Sequence, residues 1–141
     1  LVFDRDLSFG GSQLTNLIES HYGLSATEAE RKKRSRDLPA GYESSVIAPY
    51  LANTALEIER GVQFFHSSSG RQRVSKIILS GGGACITGLA RAVSSQTGIA
   101  CELASPFDGM TIKSEQVNKR LRREAPAYYF AAGLAMRRFL A

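Results

Sequence analysis

Three consecutive glycines, Gly81-Gly82-Gly83, lie between the apolar run Ile77-Ile78-Leu79 and a helix-like stretch that begins near Thr87. A strand running into glycines and then a helix can bring backbone against a ligand, because glycine has no Cβ and accepts positive φ. Two phosphate-binding patterns can be tested on these residues. The P-loop pattern requires Lys-Ser/Thr after its last glycine, whereas Gly88 is followed by Leu89-Ala90. The dinucleotide fingerprint requires glycine at its first, third and sixth places, and counted from Gly81 the sixth is Ile86. Both patterns fail. Two readings remain for the glycines: a tight turn between strand and helix, or a ligand-facing loop of another type.

Other chemistries find less support. Cys85 and Cys101 are the only thiols, and His21 and His66 lie far from both in sequence. No CxxC, HxxxH or HExxH spacing occurs, so no zinc site is indicated. The cysteines read as reduced, small hydrophobes of a cytosolic protein. A nucleophile with paired carboxylates is not visible, which argues against a self-contained hydrolase. The net charge of +5 comes largely from the runs RKKRSR at 31–36 and KRLRR at 119–123. Such runs can meet nucleic acid or anionic lipid. Without interleaved aromatic residues they read first as solvated helix faces.

The elements that must position these residues follow from periodicity. Residues 1–8 alternate in part and read as a half-exposed strand ended by Gly10-Gly11. Ser12 is placed to cap a helix carrying Leu14, Leu17, Ile18 and Tyr22, with Gly23 closing it. A second helix starts at Ser25, acidic first and basic last, as the helix dipole favours. Residues 38–41, LPAG, form a turn. Between 43 and 65, Ile47, Leu51, Ala55, Ile58, Val62 and Phe65 recur at helical spacing and define one apolar face. Residues 66–73 read as a polar connection. A buried parallel strand over 74–80, a helix over 87–97 and a strand over 99–104 make a βαβ unit. Residues 108–123 carry little periodicity, and a small-residue helix over 125–140 closes the chain. There the small residues Ala131, Ala132, Gly133 and Ala135 suit tight packing on a sheet better than insertion into lipid. Tyr128, Tyr129, Phe130 and Phe139 read as core or domain-edge aromatics.

With 141 residues the chain suits one domain, at most one with a subdomain. Its longest stretch without a charged residue is the 14 residues 77–90, shorter than a membrane-spanning helix needs. It starts without Met and without the features of a signal peptide, and reads as entered in mid-domain.

The segment IILSGGGACITGLARAVSSQTG resembles the adenosine-loop segment of the actin-like ATPase superfamily, with Thr87-Gly88 where Pro-Gly is common. SFGGSQLT, ATEAERKKR, LPAGY, EIERGVQFF, ASPFDGM and APAYYFAAGLAMRRF are similar, in the same order, to the C-terminal half of the actin-like family of the type IV pilus inner-membrane platform. The resemblance covers essentially the whole chain.

This resemblance implies an α/β fold: the second domain of the actin-like, ribonuclease H-like ATPase fold. Residues 1–10 and 71–141 would form a small, mostly parallel sheet with flanking helices, and residues 11–70 a helical roof subdomain. It further implies that Gly81, Gly82 and Gly83 face adenosine, and that Glu30 and Lys33 border the nucleoside. Gly10 and Gly11 would lie near the nucleotide. A carboxylate can accept ribose hydroxyls and an ammonium can neutralise phosphate. The implied cofactor is ATP with Mg in the full-length protein, the fragment alone supplying half the cleft and no turnover. The implied partner is the inner-membrane pilus protein PilN, docked through the other half of the family's chain, with self-association as a further role. Location would be cytoplasmic, peripheral to the bacterial inner membrane. The alternative is a basic adaptor that binds nucleic acid or anionic lipid without nucleotide.

Overall fold

Leu14 and Ile18 fall one helical turn apart, and both are fully buried on α1, Gly11–Tyr22. Gly23 ends this helix in the left-handed conformation at φ 64, its N–H donating to Glu19 O. Gly10 precedes the helix and no side chain caps it, so Ser12 lies inside the first turn instead of capping it. The computed structural model describes residues 2–6, 10–35, 37–70, 73–111 and 115–139. It divides into two units, Leu1–Gln72 and Arg73–Ala141.

In the first unit α2 spans Ala26–Ser35. Its start is a reciprocal cap: Ser25 Oγ donates to Glu28 Oε2 at 2.8 Å while Glu28 N–H donates to Ser25 Oγ at 3.4 Å. The LPAG turn forms as expected, with Gly41 at φ 89 and Tyr42 N–H donating to Pro39 O at 3.2 Å. A π-helical turn, Glu43–Ile47, leads into α3, Ala48–Ser69. Val46, Tyr50, Thr54 and Ala55 are buried there. The polar connection begins later than expected, because α3 continues through residues 66–69. Ser67 and Ser68 donate their hydroxyls back to Phe64 O, each at 2.8 Å, which lets serines remain helical. Gly70 at φ 72 stops the helix.

Residues 2–6 form no strand. Alternation sets which side chains share a face, but a strand also needs a ladder partner. Phe3 instead packs between Phe64 and Phe65 of α3, with ring centroids 5.8 and 5.7 Å away, and Arg5 lies 4.6 Å over the Phe64 ring.

In the second unit β1, Lys76–Leu79, pairs in parallel with β2, Ala100–Leu103, in the register Lys76↔Ala100 to Leu79↔Leu103. Between them α4, Leu89–Thr97, buries Leu89 and Val93 and ends at Gly98 in the left-handed conformation. This is the expected βαβ unit, shortened at its ends. The strands are not buried on both faces: Ile78 is 61% and Leu103 48% exposed.

The last helix, α5, spans Glu115–Met136 and starts ten residues before the expected position. Its first half shows no apolar stripe because it is a charged face held by ion pairs one turn apart, Lys119–Glu115 at 2.9 Å and Arg120–Glu124 at 3.3 Å. Pro126 lies inside it and is fully buried. The small residues beyond it are not a packing face: Ala131, Gly133 and Ala135 are exposed. Phe130 and Phe139, 79% and 84% exposed, are no part of the core, whereas Tyr128 packs on Phe107 at 5.9 Å. Among the described side chains of α5 only Ala125 and Pro126 are buried, and the Pro126 carbonyl meets the glycine turn described below.

Candidate functional site

Four of the residues singled out in the sequence come together in the first unit. Lys33 reaches from α2 to the start of α1, and its ammonium has three protons to place. They point to Gly11 O at 3.0 Å, Thr15 Oγ1 at 2.7 Å and the Glu30 carboxylate. Glu30 Oε2 also accepts the Thr15 hydroxyl at 2.7 Å, and Glu30 Oε1 accepts Arg34 Nε at 2.8 Å. Gly10 is held beside them, its carbonyl accepting the Tyr50 hydroxyl at 3.2 Å. The Gly10-Gly11 turn is therefore pinned by two side chains from two other helices.

Electrostatics follow from this geometry. The hydrogen bond from Lys33, then that from Thr15, holds the Glu30 carboxyl down at about 2. Glu30 is thus a fixed anion, still 36% exposed, while its Lys33 partner is 18% exposed. Burial pushes the Tyr50 hydroxyl up, opposed by its hydrogen bond with Thr54, and pushes Tyr42 up to about 12.

Thr15, Arg34 and Tyr50 are members of this cluster that motif reading missed. For Thr15 a signal existed. It falls one residue after Leu14 and three before Ile18, on the face that must be buried, where a polar side chain needs a partner. Thr15 is 8% exposed.

The glycine run belongs to the second unit. Gly81 adopts φ 84, ψ 175, a region essentially closed to other residues, and Gly82–Cys85 forms a 3-10 turn. Gly81 N–H donates to Pro126 O of α5 at 2.8 Å, and Ala84 is buried against the same unit. A Cβ built on Gly82 meets nothing within 4 Å, so the space above that residue is open in this chain. The run is a tight turn seated on a helix, the first of the two readings that the sequence allowed.

The parallel βαβ unit with its glycine turn on α5, and the helical unit that carries Glu30 and Lys33, agree with the second domain of the actin-like class, to which the similarity to a solved structure assigns the chain. Among solved structures the chain is similar to one described as "PilM-PilN type IV pilus biogenesis complex", with a TM-score of 0.73 and 27% identity over 94% of this chain. The sequence also matches the family described as "Type IV pilus assembly protein PilM" over residues 1–139. The chain belongs to that family. It spans 38% of the length of the matching solved chain. Among the described residues no helix is long and apolar enough to cross a membrane.

Proposed function

We propose that the chain is the nucleotide-binding C-terminal half of a pilus scaffold, in which Glu30 and Lys33 face the nucleoside and Gly81, Gly82 and Gly83 border adenine. The observation that carries this reading is the clamped Glu30. A partly exposed carboxylate is held ionised by Lys33 and Thr15, and Oε1 takes Arg34 while retaining a second lone-pair site for a hydroxyl donor. A ribose offers such donors. Glu30 would thus accept a ribose hydroxyl of ATP, and Lys33, whose three protons are taken up within the chain, would serve by holding Glu30 in place. Gly82 is exposed and no side chain covers it, as at most glycines of the chain, so a ligand could reach its backbone there. When bound with Mg, ATP would supply phosphate charge and a metal, neither of which this chain needs in order to hold Glu30 and Lys33 in place. Gly10 and Gly11, pinned by Tyr50 and Lys33, would keep the start of α1 fixed near the nucleotide.

By analogy with the complex named above, the longer protein would act at the inner-membrane pilus platform from the cytoplasmic side, with PilN as partner. Surfaces of this half would then serve self-association or other pilus components. The adaptor reading loses some ground because several cations of the basic runs also pair within the chain, although Arg34, Arg120 and Arg123 stay largely exposed. Lys33 and Arg34 pair with Glu30, Lys32 with Asp37, and Arg120 and Arg123 with Glu124.

Equilibrium binding of ATP with Mg to the longer protein tests the proposal. Lys33→Ala is expected to weaken affinity by about tenfold or more, equivalent to about 1.4 kcal/mol. Lys32→Ala, which touches the Asp37 side of the helix end, should change it by less than about twofold. A longer protein that binds no ATP, or that responds equally to both substitutions, overturns the assignment.

A further inference from the structure

We infer that Thr15 is a positioning residue, its hydroxyl setting the separation and direction of the Glu30–Lys33 pair. This rests on the nucleotide reading above and deepens it. A threonine hydroxyl has one proton and two lone pairs. Lys33 Nζ lies 2.7 Å from Thr15 Oγ1, so one lone pair accepts the ammonium. The single proton then has two possible acceptors, Glu30 Oε2 at 2.7 Å and Gly11 O at 3.2 Å. Gly11 O already receives Lys33, and the carboxylate is both nearer and charged, so the proton goes to Glu30. Thr15 is therefore a relay in which the hydroxyl takes a hydrogen bond from the cation and gives one to the anion. It is nearly buried on α1 between Leu14 and Ile18, so helix packing fixes its place. The relay ties the two charges of α2 to a helix whose own position is set by core burial.

Replacing the hydroxyl by a methyl group removes both hydrogen bonds. It also forces both partners outward, because carbon cannot sit 2.7 Å from nitrogen or oxygen and needs roughly 3.5 Å. Glu30 and Lys33 would keep each other but lose their common anchor.

The test uses the longer protein with Thr15→Val, Thr15→Ser and Thr15→Ala, ATP with Mg as probe, and the Glu30 side-chain carboxyl titrated by carbon NMR. Thr15→Val is expected to weaken ATP affinity by about tenfold and to raise the Glu30 titration midpoint. Thr15→Ser should restore both to near wild type, because it keeps the hydroxyl and loses only a methyl. Should Thr15→Val fail to fold, Thr15→Ala carries the same expectation without the added bulk. An unmoved Glu30 midpoint, or a serine variant as weak as the valine one, overturns the positioning role. If wild type binds no ATP but the midpoint moves with the hydroxyl, the relay stands and the nucleotide reading alone falls.

Discussion

At the scale of single residues, the clamp around Glu30 makes a signed prediction about acid. Its carboxyl is lowered from 4.5 to about 2 by Lys33 first and Thr15 second. A depressed carboxyl contributes stability that is fully present above the unfolded value and is lost as pH falls through the folded one. The stabilisation that Glu30 provides should therefore persist down to about pH 4.5 and fade between there and about pH 2. Because Glu30 is partly exposed, solvent reduces the size of the effect. The measurement is the urea midpoint of wild type minus that of Glu30→Gln at pH 7, 4.5 and 3. The difference should be largest at pH 7, slightly smaller at pH 4.5 and clearly smaller at pH 3. A difference that grows on acidification would mean that Glu30 is not held as an anion.

At the scale of elements, the two neighbouring glycines of the turn should respond differently to the same added methyl group. Gly81 sits at φ 84, ψ 175 and donates to Pro126 O, so Gly81→Ala is expected to cost about 1–3 kcal/mol. Gly82 is outside the left-handed region and a Cβ there meets open space, so Gly82→Ala should stay within about 0.5 kcal/mol. Chemical denaturation of both variants checks this, and equal losses would contradict the geometry. Helices with an apolar stripe and glycine ends were legible in the sequence, as with Leu14, Ile18 and Gly23 of α1 or Val93 and Gly98 of α4. So was the βαβ unit, because β-branched residues followed by glycine punctuate the chain clearly. The first half of α5 was not legible, since its stability comes from ion pairs such as Lys119–Glu115 and not from a buried stripe, and Pro126 imitates a stop. Residues 2–6 misled in the opposite sense: their alternation is real, but Phe3 is used by α3. Of the candidate site, Glu30 and Lys33 were singled out only through resemblance to the family. Their joint contact with Thr15 spans 15 and 18 positions in sequence, beyond the reach of any local pattern.

At the scale of the whole molecule, the chain spans 38% of the matching solved chain, and among the described residues several large apolar side chains, Phe130 and Ile78 among them, are mostly exposed. Phosphoryl transfer depends on positioned phosphate donors, a metal and an oriented water together. The isolated 141-residue chain is accordingly expected to release no phosphate from ATP above the buffer blank. Metal-dependent release that disappears in Glu30→Gln would contradict the assignment of this chain to one side of a cleft. The nucleotide reading itself is tested most directly by calorimetric titration of ATP with Mg into the longer protein and its Gly82→Val variant. A branched side chain there fills space that is open over the backbone. Affinity should fall by about tenfold or more, about 1.4 kcal/mol, while circular dichroism stays that of wild type. A folded Gly82→Val protein that binds ATP as tightly as wild type would make the glycines a turn and nothing more.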